Sequence, residues 1–225
     1  MSQVVRDISE RFEIVLASSS PRRHEIVSQV MGFSNVRLMK PSFEENLDKA
    51  LYVDNPVGYV HDTSREKGLG IVKDLIKEHN ELVSNQKPKI VICADTIVID
   101  GDNKIYEKPQ ESEKQLDNLL GFRDSDSPLR VTTSVSLIKW QGPDDYKFSQ
   151  FEETSELYFD PEFPLAIVND YVDSKDALDV AGGFKVQSFG GAMISKINGD
   201  FFNVVGLPLN KTFKQIYDMA FPLEQ

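Results

Sequence analysis

Short apolar runs alternate along the chain with stretches in which apolar residues recur every three or four positions, and turn-forming clusters separate them. Ile14-Val15-Leu16-Ala17 is a buried-strand run that stops at Ser18-Ser19-Ser20-Pro21. Beyond it Ile26, Val27 and Val30 fall on one helical face, with Ser20 suited to cap that helix and Pro21 to open it. The pattern predicts a strand, a turn and a helix. After an extended piece over 36–43, residues 57–79 predict a long helix in spite of Gly68 and Gly70. Residues 90–99 predict a strand, Asp100-Gly101-Asp102-Asn103 a hairpin turn, and 104–106 the returning strand. A short amphipathic helix is expected over 111–120.

The second half repeats the alternation with longer strands. Residues 131–140 read as a half-buried strand, Gly142-Pro143-Asp144-Asp145 as a turn, and 146–159 as its partner. A helix is expected over 161–172, with Pro164 in its first turn. Six of the thirteen glycines lie between Gly182 and Gly206, which implies turns and close backbone approach. Inside that stretch 192–197, Asn198-Gly199-Asp200 and 201–205 spell strand, tight turn, strand, and 208–221 closes as a helix. Hairpin-linked strands together with helix-crossed ones give an α/β fold: a mixed, partly antiparallel, elongated sheet flanked by helices, with two lobes around a cleft. One domain over 1–225 is expected, with 1–11 as an N-terminal extension and the waist at either 107–111 or 124–128.

Charge changes the picture more than length does. Thirty-six acidic against twenty-five basic residues leave −11 on 225 residues, a field that repels polyanions. Nucleic-acid polymers and anionic membranes are therefore excluded as default partners, and an anionic ligand requires a local concentration of positive charge. The apolar stretches fall far short of the ~20 residues that span a bilayer, and residues 1–10 carry no apolar signal core. The single cysteine, Cys93, reads as a reduced core thiol, and His24, His61 and His79 are too scattered for a structural zinc site. The cytoplasm is the expected location.

Five segments carry candidate chemistry. Ser18-Ser19-Ser20-Pro21-Arg22-Arg23 places hydroxyls and two arginines where a strand meets a helix N-terminus, which suits a phosphate cradle as well as a plainly capped helix. Glu44-Glu45 is a carboxylate pair able to hold a divalent metal, or two solvated surface acids. Arg65-Glu66-Lys67 on the long helix is by itself a charged face. Asp95 interrupts the apolar run from Val91 to Ile99; unless alternation turns it to solvent, its burial calls for a compensating cation, and Lys108-Pro109 adds a further cation just past the hairpin. In Ala181-Gly182-Gly183-Phe184-Lys185-Val186-Gln187 the glycines admit a ligand to the backbone and Gln187 offers both donor and acceptor to a base edge, or the segment is a pair of tight turns.

In this order, these segments resemble the signatures of the Maf family of nucleoside triphosphate pyrophosphatases, from about Ile14 to Leu209. Leu16-Ala17-Ser18-Ser19-Ser20-Pro21-Arg22-Arg23 is similar to the opening signature, Glu44-Glu45 to its acidic pair, and Arg65-Glu66-Lys67 to its basic motif. Ala94-Asp95-Thr96 with Lys108-Pro109 resembles the central signature, and the segments 181–187 and 199–208 the closing ones. The resemblance implies a Maf/ITPase-like fold and metal-assisted hydrolysis of a nucleoside triphosphate to the monophosphate and pyrophosphate. By position, it implies Asp95, Lys67 and Lys108 as catalytic residues. Ser18, Ser20, Arg22, Arg23, Thr96 and Gln187 would bind substrate, and Glu45 and Asp95 would hold Mg²⁺ or Mn²⁺. It further implies dTTP or UTP as substrate and, by analogy, a homodimer. A modified purine such as 7-methyl-GTP is the alternative substrate, and a nucleotide-binding regulator of cell division with little catalysis the alternative function.

The chain departs from the family pattern in its second half. Leu129 stands where a histidine is usual, Val180 where a lysine is common, and Lys175-Asp176 where Glu-Pro is common. Lys185 and Ser188 replace the glycines that usually flank Val186-Gln187. Asp95, Arg22, Lys67 and Lys108 are all present, and convergence of Arg22, Arg23, Lys67 and Lys108 on one cleft is the resulting expectation.

Overall fold

The computed structural model describes residues 2–44, 46–81 and 87–222. Helix α1 (Gln3–Arg11) leads into strand β1 (Glu13–Ala17), then α2 (Pro21–Glu25), which runs on as a π-helical turn over Ile26–Val30. Strand β2 (Val36–Leu38) is followed by a 3₁₀ turn (Lys49–Tyr52) and the long helix α3 (Pro56–Glu81). Next come β3 (Lys89–Ile99), the short β4 (Ile105–Tyr106) and α4 (Ser112–Arg123). The long hairpin β5 (Leu129–Gly142) and β6 (Asp145–Phe159) precedes α5 (Leu165–Asp173), β7 (Ile194–Asn198), α6 (Phe201–Val205) and α7 (Leu209–Ala220).

The strands form one sheet in the order β2-β1-β3-β5-β6-β7, with β4 on the edge of β3. β1 pairs parallel with β2 and β3, and every other pairing is antiparallel, so the sheet is mixed as expected. β5 and β6 are the longest strands, and buried clusters pack along them. One core joins α1, α2, α7 and the β1 end of β3; another joins β6, α4 and α5 around Leu129, Val131, Leu157 and Phe159.

The ladders leave a gap that positions the site. On one edge β3 is paired with β1 only as far as Cys93, and with β4 only from Val98 onward. The residues between, Ala94 to Ile97, open onto a cavity while β5 covers their other edge. Parallel β1 ends at this gap, so the cavity lies off a strand's carboxyl end beside a change of direction in the sheet, where α/β proteins commonly bind ligands.

Gly68 and Gly70, in the middle of α3, sit where a Cβ would crowd its neighbours. A Cβ at Gly68 would come within 2.8 Å of the Phe148 ring, so the bare backbone lets α3 sit close over the sheet. The face it buries includes Thr63, Ser64 and Lys67 among apolar residues, a polar patch laid under the gap in β3. Ser64 Oγ meets Ser136 Oγ of β5 at 2.9 Å, within that patch.

One element differs from the sequence reading. Residues 201–205, expected as a strand, form helix α6: the Asp200 carboxylate accepts from the Phe202 and Asn203 amides and caps it. Asn203 Nδ2 then donates to Val131 O at 2.9 Å and to Ser155 Oγ at 3.0 Å, tying the helix to the long hairpin. Residues 3–11 form α1, which buries Val5 and Ile8 in the first core. Ile8 is fully buried, so Ile8→Ala is expected to lower stability by about 2–5 kcal/mol through lost transfer energy and a residual cavity. A denaturant midpoint whose fall, multiplied by an unchanged slope, gives that free energy is the measurement that checks it.

Candidate active site

The cavity is about 600 Å³, and its lining joins the Ser18–Arg23 turn, the open stretch of β3 and the segment after β4. Asp95 projects from that open stretch toward α3. Its Oδ1 accepts from Lys67 Nζ at 2.7 Å, with side-chain exposures of 15% and 8%. The compensating cation that a buried acid calls for is thus Lys67, the inward member of Arg65-Glu66-Lys67, while Arg65 is exposed.

Thr96, the next residue, takes part in a different network. Arg23 Nη2 donates to Thr96 Oγ1 at 2.8 Å, and Thr96 Oγ1 also meets Thr133 Oγ1 at 2.9 Å. The same guanidinium reaches Ala94 O at 2.8 Å through Nη1, Gly206 O at 2.8 Å through Nε, and Ser18 Oγ at 3.4 Å. Arg23 therefore clamps the open edge of β3 to the β1–α2 turn and to the end of α6. Ser20 caps α2 as the sequence predicts, its Oγ accepting from Arg23 N at 3.4 Å, and Ser18 Oγ accepts from Ser20 N at 3.1 Å.

With this geometry in view, the comparison with known proteins is decisive. A sequence model described as Maf-like protein matches residues 13–219. The chain belongs to the Maf-like family. The protein named dTTP/UTP pyrophosphatase of Saccharomyces cerevisiae is 47% identical over 219 residues, 96% of this chain and 94% of the relative. The protein of the same name from Schizosaccharomyces pombe is 38% identical over 204 residues, 89% of this chain and 81% of the relative. A solved structure described as nucleoside-triphosphatase / dITP/XTP pyrophosphatase from Mycobacterium abscessus overlaps 91% of this chain and 93% of its own, at 14% identity and TM-score 0.39.

In this Maf-like chain Ser18, Ser20, Arg22, Arg23, Lys67, Asp95, Thr96 and Lys108 all line the one cavity. The four bases expected to converge do so. Lys40 and Lys49 join them, so six basic side chains face three acidic ones, Asp95, Glu107 and Asp179, among the described lining residues. Neither Lys40 nor Lys49 stands in a segment that the sequence singles out. Lys49 pairs with Glu107, and its ammonium sits 5.4 Å from the centre of the Tyr59 ring. Glu45 lies outside the described residues; Lys40, Pro41 and Phe43, shortly before it, line the cavity.

Gln187 does not line the cavity: it is exposed on the turn after Lys185. The reason lies in the departures noted in the sequence. Asp176 accepts from Lys185 Nζ at 3.0 Å and from Ser188 Oγ at 2.9 Å, and the Lys185 amide donates to the Tyr171 hydroxyl at 3.1 Å. These bonds pin the turn against the end of α5. Val180, in place of a lysine, is a core residue.

Burial lowers the pKa of Arg22 from its ordinary value, and Asp179 and Tyr171 offset part of that shift. A guanidinium partly stripped of water in this way gains from an incoming anion. Behind the site, burial pushes the Cys93 thiol up to about 12, and the nearby Lys67 and Arg23 offset only part of that rise. Cys93 is therefore a neutral core group and no nucleophile. Iodoacetamide at about pH 8 is expected to leave the folded protein unlabelled and to label Cys93 once the chain unfolds, as read by mass spectrometry. Arg23→Lys, whose ammonium cannot span the four acceptors, is expected to cost about 1–3 kcal/mol in a urea unfolding midpoint through unsatisfied carbonyls.

Proposed function

We propose that the chain is a nucleoside triphosphate pyrophosphatase that hydrolyses dTTP or UTP to the monophosphate and pyrophosphate. The observation that carries this reading is the cavity itself: six bases and the Lys67–Asp95 pair around an open strand edge, in a chain of net charge −11. The names of the Saccharomyces and Schizosaccharomyces relatives supply the pyrimidine preference.

In this reading the triphosphate lies against Arg22, Lys67 and Lys108, with its base toward Asp179 and Ala181. Asp95 orients a water toward the α-phosphorus and takes its proton. The water oxygen bonds to that phosphorus as the bond to the α–β bridging oxygen breaks, and pyrophosphate leaves with the bridging oxygen. Lys67 keeps the Asp95 carboxylate fixed, and the lysines neutralise the charge that gathers on the leaving group. Positioning and electrostatics thus supply most of the acceleration.

The donor chemistry fits a hard divalent cation. The Asp95 carboxylate opens onto the cavity, and a hard ion of this kind takes one or two carboxylates and completes its shell with phosphate oxygens and water. Asp95, with Glu45, would hold it. When bound, Mg²⁺ or Mn²⁺ supplies further charge neutralisation at the phosphates.

Purified protein given single triphosphates is expected to release pyrophosphate from dTTP and UTP, to stop with EDTA and to recover with Mg²⁺ or Mn²⁺. Asp95→Asn is expected to lose about 10²–10⁴-fold in kcat while still binding triphosphate. Release of inorganic phosphate, or turnover of 7-methyl-GTP in preference to both pyrimidine nucleotides, would overturn the assignment.

A further inference from the structure

Two segments next to the second core line the cavity: Glu107 with Lys108, just after β4, and Asp179 to Ala181, ahead of the Ala181–Gly183 3₁₀ turn. Neither is held there by a sheet ladder. Backbone bonds join them instead, Gly182 N to Glu107 O at 3.1 Å and Gln110 N to Leu178 O at 3.0 Å. Gly183 has φ +81, and a Cβ on it would stand 3.0 Å from Gln115 Cγ and 3.1 Å from Pro109 Cγ. The loop is thus wedged between α4 and the residue that follows Lys108.

Gln115 of α4 is fully buried. Its Nε2 donates to Gly183 O at 2.8 Å, while its Oε1 has no hydrogen-bond partner among the described residues. A buried acceptor left unpaired is unfavourable, and an apolar side chain of equal length would fill the same volume without it. Packing therefore does not account for an amide here. What the amide adds is a hold on the Gly183 carbonyl, and through Gly183 on Pro109 and Lys108.

We propose that Gln115 is a positioning residue, which fixes Lys108 and the Asp179–Ala181 wall of the cleft without touching substrate. The inference rests on the pyrophosphatase reading for the role of Lys108, and on the hydrogen bond alone for the hold on the loop.

Gln115→Met keeps the length of the side chain while removing both the donor and the unpaired acceptor. The apparent Tm is expected to move by no more than about 4 °C. The Gly182 amide, bonded to Glu107 O, is expected to exchange with solvent on the order of tenfold faster, with the amides of β5 unchanged. With dTTP or UTP, kcat is expected to fall about 10- to 100-fold and KM to move much less, the mark of a displaced catalytic group and not of a smaller folded fraction. An unchanged Gly182 exchange rate overturns the inference whatever the activity. Faster exchange with wild-type kcat overturns the catalytic part of it, and so does a kcat loss that simply tracks a fall in Tm. A wild-type protein that turns over no triphosphate refutes the pyrophosphatase reading instead, and the exchange measurement still decides whether Gln115 holds the loop.

Discussion

The ion pair between Asp95 and Lys67 is the constraint on which the rest of the architecture depends. A carboxylate in an otherwise apolar strand is tolerated only with a cation at hydrogen-bond distance, and breaking such a pair by removing one partner costs about 3–5 kcal/mol. Lys67 reaches Asp95 at 2.7 Å because α3 lies close on the sheet, and α3 lies close because Gly68 has no Cβ to meet Phe148. The open edge of β3 follows from the same arrangement. β1 stops at Cys93 and β4 starts at Val98, so the acid sits where a strand neighbour is missing and a ligand can enter. Pairing, helix approach and cavity are one solution to the cost of burying one charge.

Arg23 performs for the other side of the strand what Lys67 performs for Asp95. A planar fork suits it to several acceptors at once, and here it joins a side-chain hydroxyl on β3 to carbonyls on β3 and at the end of α6. Arg23 is engaged by the fold, Lys67 pairs with Asp95 and Lys49 with Glu107, and Arg22, Lys40 and Lys108 add to the positive character of the lining. The net charge of −11 therefore coexists with a polyanion site through segregation, with a basic excess around the cavity and an acidic excess over the rest of the chain. The long-range field that repels nucleic acid does not prevent capture of a small anion at short range.

Much of this was legible in the sequence, for definite reasons. Long strands announced themselves because β3, β5 and β6 alternate or run apolar over ten or more positions, and Ser20 and Pro21 gave the start of α2 its cap and its first residue. Asp95 stood out because a charge in such a run is costly in any fold. Residues 201–205 were misread because Phe-Phe-Asn-Val-Val has strand propensity, while the deciding term was local, the Asp200 cap, with Asn203 finding partners on β5 and β6. The placement of Gln187 was not legible either, since it depends on side chains that meet only in three dimensions. Lys49 is a lone basic residue whose presence at the cavity no spacing encodes.

The departures from the family pattern are better understood as one unit than as separate losses. Asp176 accepts from Lys185 and Ser188, and the Tyr171 hydroxyl accepts from the Lys185 amide, so the residues at these positions act together to hold one turn. Gln115 is a second case in which a side chain, not a ladder, sets the backbone beside the cavity. The two walls of the cleft are thus held by different physics. On the β1 side the strand ladder and Arg23 fix the lining groups, an arrangement that allows little variation without loss of the fold. On the α4–α5 side the lining sits on loops pinned by a few side-chain hydrogen bonds, which exchange of one or two residues can reset. Exchange of a lining residue should therefore be better tolerated on the loop side of the cavity than along the strand.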